Sequence, residues 1–138
     1  MAAIDFTASN GDPQSLTSNH SLLKELNDYE KVLSDMGQQI EIEKQGGNQI
    51  NSPIGEEIDF SSSFQVFGFG GIPRYMDINS VNHCFALNGD PLNPEIRGIE
   101  NVLLTYRKVL PQIDMAGPTQ FGPLLDQFLL YVKSMKNH

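Results

Sequence analysis

The chain has 138 residues, 39% hydrophobic and 19% charged, the size and makeup of one folded domain and not of a disordered tail. Nine Lys and Arg against 17 Asp and Glu leave a net charge of -8, which suits a metal cation or a protein partner and excludes a duplex or a bare anionic membrane as the direct target. No apolar run reaches the roughly 18 residues of a membrane-crossing helix, Asp5 comes too early for a signal peptide's apolar core, and a single cysteine, Cys84, points to a reducing cytoplasm.

In chain order, residues 2–6 are apolar except for Asp5 and read as a short strand, ended by the Asn-Gly-Asp-Pro cluster at residues 10–13. Over residues 22–44, Leu22, Leu23, Leu26, Tyr29, Val32, Leu33, Met36 and Ile40 recur in steps of three and four, an amphipathic helix with an acidic outer face. Asn27 or Asp28 offers a second start as a cap. Residues 45–63 are rich in Gly, Ser and Asn and read as an acidic loop. Two apolar runs, residues 64–69 and 84–87, read as buried strands, the second closed by Asn88-Gly89-Asp90-Pro91. A second helix fits residues 94–110, with Ile96, Ile99, Val102, Leu103, Tyr106, Val109 and Leu110 as its stripe. A third fits residues 121–136, with Leu124, Leu125, Phe128, Leu129, Tyr131, Val132 and Met135 facing inward. Lys133 and Lys136 in its last turn suit the negative end of the helix dipole.

The chemistry concentrates in Asp5-Phe-Thr7-Ala-Ser9. One carboxylate and two hydroxyls at alternate positions follow a strand directly, and where the extended chain turns they can converge. Oxygen donors of this kind suit a hard divalent cation, although the string alone also reads as a capped turn before a helix. Two rival motifs fail. Counted from Asp5, the sixth and twelfth places of a calcium-binding EF-hand loop hold Asn10 and Leu16 instead of Gly and Glu. Gly68 and Gly70 lead into Ile72-Pro73 and not into a phosphate-binding helix. His20, His83 and His138 have no metal-ligand spacing with each other or with Cys84. No Ser or Cys sits beside a recognisable base, so the chain is expected not to be an enzyme. Cys84 is most simply a small buried core residue.

The run from Ala3 to Pro13 resembles the opening of the copine A domain, a von Willebrand factor A-type module. The resemblance continues through residues 66–73 (VFGFGGIP), 82–88 (NHCFALN), 98–106 (GIENVLLTY), 110–113 (LPQI) and 117–123 (GPTQFGP). It implies a partial α/β fold of the von Willebrand A type, a three-layer sandwich with a short, mostly parallel sheet and flanking helices, occupying residues 1–138 as one incomplete domain. It also implies a metal-ion-dependent adhesion site in which Asp5, Thr7 and Ser9 form the first ligand string and Thr119 supplies a second-loop hydroxyl. The expected ion is Mg²⁺ or Mn²⁺, with Ca²⁺ the further candidate, weakly bound and open to a carboxylate from a protein partner. Taken alone, Thr119 reads as a cap for the helix that follows.

The sequence departs from the family pattern in ways that carry expectations. Family members continue past the last helix into a core strand whose Thr-Asp-Gly-like turn supplies another metal-site Asp, and they carry C2 domains that bind phospholipid with calcium. Neither is in this sequence, so residues 2–6 are expected to form an open sheet edge and apolar helix faces to lose their cover. The implied function is a metal-dependent protein-binding module of a copine-like, calcium-dependent phospholipid-binding protein. That protein would be cytoplasmic and would reach the plasma membrane only through C2 domains outside this chain. The alternatives are the similar A domain of a RING ubiquitin ligase and an inactive truncated fragment.

Overall fold

The structure, a computed structural model, describes residues 1–48, 63–117 and 120–136. In chain order its elements are β1 (Ala2–Asp5), α1 (Asp28–Asn48), β2 (Ser63–Phe69), β3 (Gly71–Pro73), β4 (Phe85–Ala86), β5 (Glu95–Arg97), α2 (Ile99–Val109), β6 (Ile113–Met115) and α3 (Gly122–Lys136). β2 is the hub of the sheet. It pairs in parallel with β1, placing Ala2 opposite Val66 and Asp5 opposite Phe69. Its later residues pair antiparallel with β4 and its first three with β5. A separate antiparallel pair joins β3 to β6. The chain thus folds as the partial α/β architecture expected, with a mixed sheet in which β1 is the end strand of the order β1-β2-β4.

Side-chain alternation explains where the core forms. Ile4 and Phe6 project to the same face as Val66, and these three join Leu33, Phe85, Leu87, Ile96, Val102, Tyr106, Val109 and Leu110 in one buried cluster. The stripe of α2 supplies Val102, Tyr106 and Val109, all at most 5% exposed. Phe67 and Phe69 point to the opposite face of β2, where Phe69 meets the ring of Phe121 at 5.6 Å.

Four expectations need correction. The first helix starts at Asp28, not at Leu22, because Asn27 and Glu30 cap it reciprocally. Asn27 Oδ1 accepts from the Glu30 N–H and Glu30 Oε1 accepts from the Asn27 N–H, both at 3.0 Å. That helix runs on to Asn48, into the stretch expected to be a loop, while residues 49–62 of the loop lie outside the described residues. Residues 95–97 are a strand rather than the first turn of the second helix. Gly98 breaks the two apart with φ +81°, a value few other residues adopt readily, and β5 is drawn to the start of β2. The third helix sits where expected, yet Leu125, Phe128, Leu129 and Met135 are 47–59% exposed instead of inward. Cys84 is half-buried, and burial pushes its thiol up.

Candidate metal-binding loop and the residues that brace it

β1 ends at Asp5, and the chain then turns through one 3₁₀ turn, Ala8–Asn10. The turn gathers the three oxygen-bearing side chains expected as the first ligand string. Asp5 Oδ1 accepts from the Thr7 N–H at 2.9 Å and from the Thr7 hydroxyl at 2.7 Å, and Ser9 Oγ lies 3.3 Å from Thr7 Oγ1. Thr7 is buried and Ser9 exposed, so the cluster opens outward from a fixed base. The backbone of the turn is tied to neighbouring segments: the Phe6 N–H donates to Phe69 O at 2.8 Å and the Ala8 N–H to Ala116 O at 2.6 Å. Gly70, with φ +74°, leaves room for Thr7. A Cβ there would collide with the Thr7 methyl, so a larger residue would push on the loop as well as strain its own backbone.

One carboxylate and two hydroxyls are the donor chemistry of a hard cation, and they make up three of the roughly six oxygens that Mg²⁺ takes. Among the described residues, no group of three or more His, Cys, Asp or Glu comes together to hold a metal. The loop therefore fits an ion only with hydroxyl help. Thr119, the remaining expected ligand, lies outside the described residues. Beside the loop opens a cleft of about 490 Å³ walled by Ala8, Asp12, Pro13, Ile113 and Asp114 among others. Arg74 closes one charge of that wall through an exposed ion pair with Asp114 at 3.0 Å.

His20, which sequence spacing set aside as a metal ligand, proves to be the residue on which the loop rests. It is fully buried, its ring lying between Phe6 at 5.1 Å and Tyr29 at 4.0 Å, both nearly parallel to it. Nε2 donates to the carbonyl of Asp5 at 2.6 Å. A carbonyl can only accept, so the proton is on Nε2 and Nδ1 accepts from the Tyr106 hydroxyl at 2.5 Å. Burial pushes the imidazole pKa down, outweighing the Asp5 carbonyl and carboxylate, which favours this neutral form. Tyr106 receives the Asn27 side-chain amide at 3.1 Å, and burial drives its phenol well above the usual range. Asn10 is a second brace: its amide donates to the carbonyls of Asp5 and Thr7 at 3.1 and 3.2 Å, and its oxygen accepts from the Tyr29 hydroxyl at 3.0 Å. Burial raises the Tyr29 phenol to about 12, so it remains a donor.

The far end of this array is an ion pair. Arg107 on α2 grips both oxygens of Glu30 at 2.8 Å, and it also donates to the main-chain carbonyls of Lys24 and Glu25. Burial pushes the Glu30 carboxyl up, but the Arg107 guanidinium and the Asn27 N–H outweigh it and hold the group below its usual range.

Comparison with known proteins agrees with this architecture. A family model described as Copine matches residues 18–138. Two proteins of Arabidopsis thaliana, Protein BONZAI 1 and Protein BONZAI 2, are each 34% identical over 128 residues, which is 91% of this chain and 19% of theirs. The chain thus spans about a fifth of the length of these curated relatives. Asp5, Thr7 and Ser9 precede the range matched by the family model, whereas His20, Tyr106 and the helices fall within it. With that match covering most of its length, the chain belongs to the copine family.

Proposed function

We propose that this chain is a protein-binding module of the copine type whose Asp5–Ser9 loop binds a divalent cation. The observation that carries the reading is the convergence of Asp5 Oδ1, Thr7 Oγ1 and Ser9 Oγ at the open end of β1, with successive separations of 2.7 and 3.3 Å. Asp5, Thr7 and Ser9, joined by Thr119, would hold the ion, and the ion would supply an open position for a partner's carboxylate. Hydroxyl donors leave a divalent charge largely unneutralised, which favours an acidic ligand and limits affinity. The adjacent cleft of about 490 Å³ gives the rest of such a partner room beside the loop. Binding, not catalysis, is the activity, and phospholipid association belongs to segments outside this chain. The whole protein would be cytoplasmic and would meet the plasma membrane only through those other segments.

Titration calorimetry with Mg²⁺ and Mn²⁺ tests the reading. Weak, saturable uptake that disappears in Asp5→Ala is expected. Uptake that survives Asp5→Ala overturns the assignment of the loop.

A further inference from the structure

We propose that His20 is a positioning residue for the metal loop, holding the Asp5–Phe6 peptide unit in place on behalf of the α1–α2 pair. The inference rests on the reading of the Asp5–Ser9 loop given above, and its geometry is independent of any bound ion. The peptide unit between Asp5 and Phe6 is gripped at both ends. Its N–H donates to Phe69 O on β2 at 2.8 Å, and its C=O accepts from His20 Nε2 at 2.6 Å and from Asn10 Nδ2 at 3.1 Å. Those bonds hold ψ of Asp5 and φ of Phe6, torsions that lie between the Asp5 side chain and Thr7, so the grip sets where the first donor of the loop stands relative to the second.

His20 is itself positioned from behind. Tyr106 donates to Nδ1, which leaves Nε2 as the protonated nitrogen facing Asp5. Asn27 holds the Tyr106 oxygen, and the same Asn27 caps α1 together with Glu30, the partner of Arg107 on α2. Buried groups in such a series have no water to turn to if one member is removed, so the loss passes along to the loop. Gln is the informative substitute for His20, because its Nε2 stands the same number of bonds from Cβ as the imidazole Nε2 and can donate to the Asp5 carbonyl.

The test uses the full chain and two readouts. Amide hydrogen exchange compares Thr7, whose N–H reports the Asp5 carboxylate, with Leu87, whose N–H donates to Val66 O in the sheet. Tyr106→Phe and His20→Leu should speed Thr7 exchange about tenfold relative to Leu87, and His20→Gln should restore most of the protection. Unchanged Thr7 exchange, or Thr7 and Leu87 accelerating together, overturns the proposal. Tyr106→Phe keeps the core ring and so decides the matter even if His20→Leu does not fold. Mn²⁺ titration supplies the second arm: affinity should fall about tenfold in Tyr106→Phe and vanish in Asp5→Ala. An absence of Asp5-dependent Mn²⁺ uptake in the unmodified chain overturns the metal reading, while Thr7 exchange separately decides whether His20 holds the loop.

Discussion

Helices α2 and α3 carry similar apolar stripes and have opposite fates. On α2, Val102, Tyr106 and Val109 are at most 5% exposed, packed against β2, β5 and α1. On α3, Leu125, Phe128, Leu129, Leu130 and Met135 remain roughly half exposed, and Phe121, just ahead of the helix, makes a ring contact with Phe69. Amphipathic periodicity therefore specifies that a helix forms and which side is apolar. Whether that side is buried depends on another element being available to cover it. The face of the sheet that carries α1 and α2 is also the face that braces the Asp5–Ser9 loop, through Tyr106 and His20.

The sharpest way to break the contrast is to empty the α2 side. Tyr106→Ala removes a fully buried ring and the hydroxyl between Asn27 and His20. A loss of about 3–5 kcal/mol is expected, enough to abolish the cooperative thermal transition in circular dichroism. Next comes Glu30→Ala, which leaves Arg107 only the Lys24 and Glu25 carbonyls and the capping N–H of Asn27 no acceptor. With Arg107 one-third exposed, about 2 kcal/mol should be lost in urea denaturation. The same carboxyl predicts an acid response. Its pKa is lower folded than unfolded, so its stabilising contribution is full above the unfolded value of about 4.3 and fades as pH falls through the folded value. Denaturation midpoints measured from about pH 6 down to pH 2 should show that decline in the natural chain and a flatter profile in Glu30→Gln.

Gly37→Ala probes the contact between the two packed helices. A Cβ at Gly37 would stand 2.6 Å from Ile99 Cβ, so overpacking should exceed the roughly 1 kcal/mol gained in helix propensity and leave a net loss of about 1 kcal/mol. On the open helix the same kind of change should do least. Phe128→Ala and Leu129→Ala are each expected to shift stability by less than about 1 kcal/mol while lowering the fluorescence of a dye bound to exposed apolar surface. A loss as large as that of Tyr106→Ala would mean that α3 is buried in solution.

The sequence made some parts of this architecture legible and hid others for physical reasons. Asp5, Thr7 and Ser9 were readable because their donors are local, separated by two residues each and gathered by one turn. The start of α1 was only partly readable: Asn27 stands out as one of two candidate caps, but the apolar stripe begins earlier, at Leu22, and the reciprocal bond with Glu30 that decides between them shows only in the structure. β5, β3 and β6 were missed because each has only three residues, too few to show alternation, and exists through its partner. The inward orientation expected for α3 failed because periodicity does not reveal what lies opposite. His20 was passed over because its significance depends on Tyr106, 86 positions away. Its neighbours Ser18, Asn19 and Ser21 are polar and give no sign of a buried ring.

The parallel pairing of β1 with β2 sets an order of assembly. Ala2 lies opposite Val66, so the whole of α1 and the segment after it must be enclosed before the first strand can dock. Closing so long a stretch of chain is entropically slow and is rewarded only at the end, whereas β2, β4, β5 and α2 are near neighbours that can gather first. The strand that delivers Asp5 is thus expected to dock late, after the helices that brace its loop, so that conservative changes in β1 should alter the unfolding rate more than the folding rate.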